Sequence, residues 1–223
     1  MKTSIYTVLQ QVRTFFIPYL LILLPCLIIK LLFTKSQIYF TVNSWHFGFG
    51  DIFFPLYTNL GDGLTCVLIT LLLFCFNYRW GLLMGTSYAI TSLLSQVLKF
   101  AFDAPRPIIY FRNEVSRMYL VKGVEMLETH SFPSGHSISA FSMGIILTYI
   151  TPKKSWGILF LGAAFLVAYS RVYLSEHFFE DVTVGSVVGV FITIFWITWL
   201  DSKAFIHTKK WNDGLFVRKK QTA

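Results

Sequence analysis

The sequence predicts an all-α polytopic membrane protein, with six transmembrane helices preceded by an N-terminal interfacial helix. Three observations predict it. Apolar residues make up 55% of the 223 positions and charged residues only 13%, against about 45–50% and about 25% in a soluble domain. Mean hydropathy is +0.60, so there are too few polar side chains to cover a globule of this size in water. The apolar residues are also gathered into runs close to the length of about 20 residues that a helix needs to cross a bilayer. Six such helices use roughly 120 positions. Residues 1–223 are therefore read as a single membrane domain, its chemistry within about 80–200 and a basic cytoplasmic tail over about 201–223.

Ile5, Val8, Leu9, Val12 and Phe16 recur at helical spacing with Lys2 and Arg13 on other faces, the pattern of a helix lying in the interface. The run Phe15 to Phe33 ends without a small-x-small cleavage site, so it reads as an uncleaved first span and not as a secretory signal. Further runs cover Leu64 to Phe76, Gly81 to Leu98, Ile138 to Ile150, Trp156 to Tyr169 and Val182 to Leu200. The second and fourth spans are short and approach spanning length only when extended into Leu60 to Gly63 and Gly135 to Ser137. The long connections, Thr34 to Asn59 and Phe100 to His130, fall on the outer side of this arrangement.

The net charge of +8 comes from 19 Lys and Arg against 11 Asp and Glu. Most of the excess lies in short connections and in the tail from Lys203 to Lys220, and no basic stripe interleaved with aromatics forms a nucleic-acid platform, so no nucleic-acid partner is expected. An even number of spans places both ends on one side. A cytoplasmic assignment puts Lys2, Arg13, Arg79, Lys153, Lys154, Lys203, Lys209, Lys210, Arg218, Lys219 and Lys220 inside, which is the majority of the 19 cations. Cys26, Cys66 and Cys75 sit in apolar runs without metal-ligand spacing and read as buried free thiols.

In this topology spans three and five run outward while spans four and six start outside, so four helix ends meet near one level. Those ends carry Lys99 then Arg106-Pro107, Pro133-Ser134-Gly135-His136, and Ser170-Arg171 then His177 and Asp181. Charged residues gathered at membrane helix ends and facing the bundle are functional candidates. Ser92, Gln96 and Lys99 share one side of span three, so the ammonium ends a polar stripe. Arg106 follows on an extended turn. Ser134 is a good N-cap, and the free amides of Gly135 and His136 at a positive helix end make an anion site with His136 beside it. His177 and Asp181 are four apart, so the carboxylate can hold one imidazole nitrogen and leave the other as a base or nucleophile. Arg171 supplies a planar fork for phosphate oxygens.

Together these blocks resemble the type 2 phosphatidic acid phosphatase superfamily, which also includes bacterial lipid phosphatases and vanadium haloperoxidases. Each signature position is matched: Lys99 with six residues before Arg106-Pro107, the Pro133 to His136 block, and Ser170-Arg171 with five residues before His177 and three more before Asp181. Any one block is weak, but three in order at one membrane face make a specific signal. The resemblance implies that His177 attacks phosphorus to give a phosphohistidine, that Asp181 orients it and balances its charge, and that His136 protonates the leaving oxygen. It also implies that Lys99, Arg106, Ser134, Gly135 and Arg171 hold the phosphate oxygens, with no metal and no other cofactor.

The expected activity is hydrolysis of a lipid-linked phosphate or diphosphate at the outer face of a bacterial inner membrane. Substrate candidates are polyprenyl diphosphate, phosphatidylglycerol phosphate, phosphatidic acid and lipid A phosphate. Alternatives are a phosphotransferase using the same phosphohistidine, and a non-catalytic lipid-phosphate binder or transporter, against which the intact His136, His177 and Asp181 argue. Other polar residues have plainer readings. His46, His130 and His207 read as interfacial anchors, and Lys30 as a side chain snorkelling from the first span. Trp45, Phe47, Phe49, Phe53, Phe54 and Tyr57 read as a loop in the interface belt, or a grip on a lipid. Arg112, Arg117 and Lys122 alternate with Glu114, Glu125 and Glu128, a solvated loop by default and a second-phosphate or headgroup clamp as the sharper alternative. Thr86, Ser87, Thr91 and Ser92 read as close-packing positions. Glu176 and Glu180 have no assigned role.

Overall fold

The structure, a computed structural model, describes residues 3–216, so Lys2, Arg218, Lys219 and Lys220 lie outside the described residues. Helices are the only regular elements among the described residues. The first, α1 (Ile5–Leu32), begins at Ser4, whose hydroxyl accepts from the Thr7 amide at 3.2 Å. It runs through Pro18 and Pro25 without interruption. The expected interfacial helix is therefore not a separate element: residues 5–16 are the first turns of the same helix. Burial is the physical reason. Val8, Val12, Phe15 and Tyr19, three or four residues apart, are at most 2% exposed, and α1 packs on three later helices of the bundle, so this stripe faces protein instead of lying on a surface.

Next come α2 (Lys35–Asn43), opened by a Thr34–Gln37 capping box, and α3 (Gly48–Tyr57). The aromatic segment expected as a loop is thus mostly helix. Phe49, Phe53 and Tyr57 stack along one side of it with centroids 5.5 and 5.0 Å apart, while Phe54 turns inward onto Tyr173 at 4.5 Å. After one 3-10 turn, α4 (Gly63–Phe76) continues from Asp62 at a bend of 54°.

The remaining elements are α5 (Tyr78–Phe102), the single turn α6 (Pro107–Tyr110), α7 (Gly135–Ile150), α8 (Trp156–Tyr173), α9 (Phe179–Leu200) and the short α10 (Lys209–Asn212). Four helices are long and apolar enough to cross a membrane, those containing α1, α5, α8 and α9, and the bent α3–α4 pair makes up to a fifth. With 16 residues, α7 is shorter. It lies at the centre, packed by α1, α4, α5, α8 and α9. Glycines on α9 permit close approach to α7: a Cβ at Gly189 would stand 2.5 Å from the Ile138 carbonyl oxygen, and one at Gly185 2.7 Å from that of Ser134. Ser87, Ser142 and Thr193 join α5, α7 and α9 through hydroxyl contacts of 2.7–3.2 Å, and Ser87 and Thr91 are fully enclosed, as close-packing positions should be. All three cysteines are free; Cys66 is buried and the other two are partly so.

At the end of the bundle where α5 begins and α7 and α9 finish, Asp201 is 0% exposed. Nε and Nη2 of Arg79 donate to its two carboxylate oxygens at 2.7 and 2.6 Å, and the Tyr149 hydroxyl donates at 2.7 Å. Nζ of Lys154 donates to the carbonyls of Thr148 and Tyr149 at 3.2 and 2.8 Å, closing the last turn of α7. Arg79 and Lys154, both assigned to the cytoplasmic side by charge, therefore share one end, and the motif residues occupy the other.

Candidate active site

Four helix ends meet as the topology requires. The last turn of α5 carries Lys99 and closes at Asp103, which adopts a left-handed conformation (φ 38°) and pairs with His130 at 3.2 Å. Beyond it the chain runs extended to Arg106, whose amide donates to the Glu128 carbonyl at 2.8 Å and whose Nε donates to that of Thr129 at 3.0 Å. These bonds fasten Arg106, 4% exposed, between the two limbs of the long connection from α5 to α7.

Ser134 is the N-cap of α7, its hydroxyl accepting from the Ser137 amide at 3.4 Å. Gly135 and His136 follow as the first two helical residues, so their amides have no partner within the helix. A Cβ at Gly135 would stand 3.8 Å from Nζ of Lys99, which places the ammonium over the amino end of α7. A polar cavity of about 150 Å³ opens here, lined by Asp62, Ser92, Gln96, Lys99, Gly135 and His136 among others. The expected stripe of Ser92, Gln96 and Lys99 thus faces one space.

The third block turns between α8 and α9. Arg171, in the last turn of α8 and 7% exposed, donates from Nη1 to the Thr58 hydroxyl at 2.9 Å. Its Nε is buried with no hydrogen-bond partner among the described residues. The amides of Glu176 and His177 both donate to the Arg171 carbonyl, at 3.0 and 3.1 Å, folding this segment back beneath the guanidinium. His177 is 1% exposed. Asp181 is the third residue of α9 and its Oδ2 accepts the Phe178 amide at 2.9 Å, the carboxylate half of a capping box.

Oδ2 of Asp181 lies 3.4 Å from Nδ1 of His177 and takes a hydrogen bond at 2.5 Å from the Ser131 hydroxyl. The expected carboxylate–imidazole pair is present as proximity, and Ser131 holds the carboxylate. Burial, reinforced by the positive field of Arg106, Arg171 and Lys99, holds the His177 imidazole well below the ordinary histidine value of 6.5. The ring is therefore neutral at physiological pH, the form in which a nitrogen lone pair is available.

Three participants escape sequence reasoning. Ser131 and Thr58 touch motif residues 50 and 113 positions away, with no periodicity to mark them. Glu176 is 3% exposed and ion-pairs with both arginines: Oε2 contacts Nη1 of Arg106 and lies 3.3 Å from Nη2 of Arg171. Glu180 binds Lys35 and Lys30 at 2.6 and 3.2 Å, so Lys30 has a partner besides water. The loop cations stand apart. Arg112 and Lys122 are exposed, and Arg117 pairs with Glu114 and lies 4.4 Å from the centre of the Phe40 ring. His46 and His207 are engaged by backbone carbonyls, as anchors would be.

The chain is 32% identical over 123 residues to the undecaprenyl-diphosphatase of Sulfolobus acidocaldarius, an alignment covering 55% of this chain and 56% of that protein. It is 30% identical over 157 residues to phosphatidylglycerophosphatase B of Bacillus subtilis, covering 66% and 67%. The chain thus spans about half the length of the first relative and two thirds of the second. Among solved structures, the transmembrane PAP2-type phosphatidylglycerolphosphate phosphatase from Bacillus subtilis superposes with a TM-score of 0.61 at 26% identity, over 88% of this chain and 98% of that one. The PAP2 superfamily model matches residues 80–204, the stretch from α5 through α9 that holds every motif residue described above, and this chain belongs to that superfamily.

Proposed function

We propose that this chain is an integral membrane phosphatase that hydrolyses a lipid-linked phosphate or diphosphate through a phosphohistidine. The observation that carries the proposal is His177, a buried neutral imidazole with Nδ1 toward Asp181, lying in the field of Lys99, Arg106 and Arg171. Nε2 attacks phosphorus as the bond from phosphorus to the lipid oxygen breaks, and His136, which takes up a proton as the anionic substrate enters the cation-rich pocket, gives that oxygen the proton. The phosphorylated ring is cationic, and Asp181 balances its charge. His136, now neutral, takes a proton from water as the water attacks phosphorus; the P–N bond breaks, phosphate leaves and both histidines return to their starting forms. Lys99, Arg106, Arg171, the Ser134 hydroxyl and the Gly135 and His136 amides hold the phosphoryl oxygens. They supply the charge stabilisation that metal ions give other phosphoryl transfers, so turnover needs no metal. The unpartnered Nε–H of Arg171 is a buried donor suited to one of those oxygens.

The proposed topology has six crossings, α1, the α3–α4 pair, α5, α7, α8 and α9, with both ends in the cytoplasm and the site at the outer face of a bacterial inner membrane. Support comes from Arg79 and Lys154 lying at the end opposite the site. A site at the level of four helix ends meets water and headgroups together, which suits an amphiphilic substrate. The relatives' names pair a lipid diphosphate with a lipid monophosphate, and the proposal covers both.

The test is phosphate release by the purified protein from a panel of lipid mono- and diphosphates in excess chelator, with His177→Ala alongside. Release by wild type and none by a folded His177→Ala variant is expected. Activity surviving in that variant, or no release from any member of the panel, would overturn the proposal.

A further inference from the structure

Glu176 takes no part in the chemistry above, yet its carboxylate stands between two of the groups that perform it. One oxygen, Oε2, is shared by Nη1 of Arg106 and Nη2 of Arg171. The rest of the residue is tied in as well: its carbonyl accepts from Nη1 of Arg106 at 3.1 Å, and its amide donates to the Arg171 carbonyl at 3.0 Å. Carboxylate and guanidiniums are all at least nine-tenths buried. Two cations so enclosed are unfavourable without an anion between them. An oxygen bridging two guanidinium forks is also the position a phosphoryl oxygen occupies when two arginines hold one phosphate.

We propose that Glu176 is a built-in counter-ion that competes with the phosphoryl group for Arg106 and Arg171. It is a positioning residue: it holds the two forks toward each other before substrate arrives, and it returns to them when phosphate leaves. This rests on the phosphate-site reading proposed above. The competition discriminates between substrate and product. A lipid phosphate keeps its grip through its chains while the carboxylate is displaced, whereas free phosphate has only the cations to hold it and is expelled. Burial pushes the Glu176 carboxyl up against the opposing pull of Arg171 and Arg106, so proton uptake on displacement lies within reach.

The test is calorimetric titration of inorganic phosphate into the full-length protein in detergent, without lipid substrate, for wild type and Glu176→Gln. Removing one like charge from the cradle should tighten phosphate binding by about tenfold or more, with product inhibition strengthened to match. A residue with a merely structural role would weaken binding or leave it unchanged, so equal or weaker affinity in Glu176→Gln overturns the inference. Should that variant fail to fold, Glu176→Asp carries the same test, because its shorter arm cannot bridge both guanidiniums: affinity above wild type supports the inference, and affinity at or below wild type overturns it. The titration needs no turnover. A wild type that hydrolyses no lipid phosphate would defeat the proposed function, while the comparison of phosphate affinities still decides the role of Glu176.

Discussion

The Ser131 hydroxyl donates to Oδ2 of Asp181 at 2.5 Å, and that same oxygen takes the Phe178 amide at 2.9 Å and faces Nδ1 of His177 at 3.4 Å. The carboxylate beside the proposed nucleophile is therefore itself held from the loop before α7. A charge-assisted hydrogen bond of this kind contributes about 1.5–3 kcal/mol. Ser131→Ala should lower kcat by roughly tenfold to a hundredfold with little change in KM. Asp181→Asn should lose more, in the range of about 10²–10⁴, because it removes the charge and not only its anchor. Steady-state kinetics on the two variants checks the order. A Ser131→Ala loss exceeding that of Asp181→Asn would give Ser131 a direct part in the reaction.

His177 also links activity and stability to pH. Its folded value lies well below 6.5 because of burial and the surrounding cations, and an unfolded histidine titrates near 6.5. Above that pH both states are neutral and the group contributes nothing. As pH falls below it, the unfolded chain takes up a proton that the folded ring refuses, so stability is lost by up to about 1.4 kcal/mol per pH unit until the folded value is reached. Thermal unfolding in detergent between pH 7 and pH 5 should show a shallower loss in His177→Asn than in wild type. The acid limb of kcat/KM should fall below pH 6.5, since the proposed mechanism needs the neutral ring. An acid limb at or above pH 7 would contradict the environment described for His177.

The loop cations offer a test of substrate breadth. Arg117 is spent on Glu114 and on the Phe40 ring, and Arg112 and Lys122 are exposed. Exposed pairs of this kind contribute about 0–1 kcal/mol. Arg117→Ala should therefore change KM by less than about fivefold for lipid mono- and diphosphates alike. A loss confined to diphosphates would make this loop the clamp for a second phosphate.

What was legible in the sequence was what helix ends carry. Lys99, Ser134, Gly135, His136, Arg171 and Asp181 lie on helix ends, Arg106 and His177 just outside them, so chain order and span direction suffice to bring all eight to one level. Ser131, Thr58 and Glu176 act through contacts that only packing creates, and no local spacing announces them. An interfacial helix is what the sequence suggests because a stripe of Val8 and Val12 looks the same whether it faces lipid headgroups or the core. Only the packing of α1 against α7, α8 and α9 decides. Gly48, Gly50 and Pro55 are poor helix formers, so nothing local announces α3. Inward packing of Phe54 on Tyr173 overrides that propensity.

The far end of the bundle supplies the control for all of these. Asp201 is fully enclosed and depends on Arg79 for its counter-charge, with the hydroxyls of Tyr149 and Thr3 donating to Oδ2 at 2.7 and 3.2 Å. Removing the guanidinium leaves a carboxylate with no cation in low dielectric, a loss of about 3–5 kcal/mol for a fully buried pair and toward the lower end here because Arg79 is 22% exposed. Arg79→Ala should lower the unfolding temperature in detergent, and Arg79→Met with Asp201→Leu should recover much of the loss, since replacing both partners leaves no unpaired charge. Phosphate release per folded molecule should remain within about twofold of wild type in both variants, because the pair lies at the opposite end of the bundle and shares no partner with the motif residues. If release per folded molecule instead falls with stability unchanged, this buried pair sets the relative positions of α5, α7 and α9 at the opposite end, and the catalytic geometry depends on it.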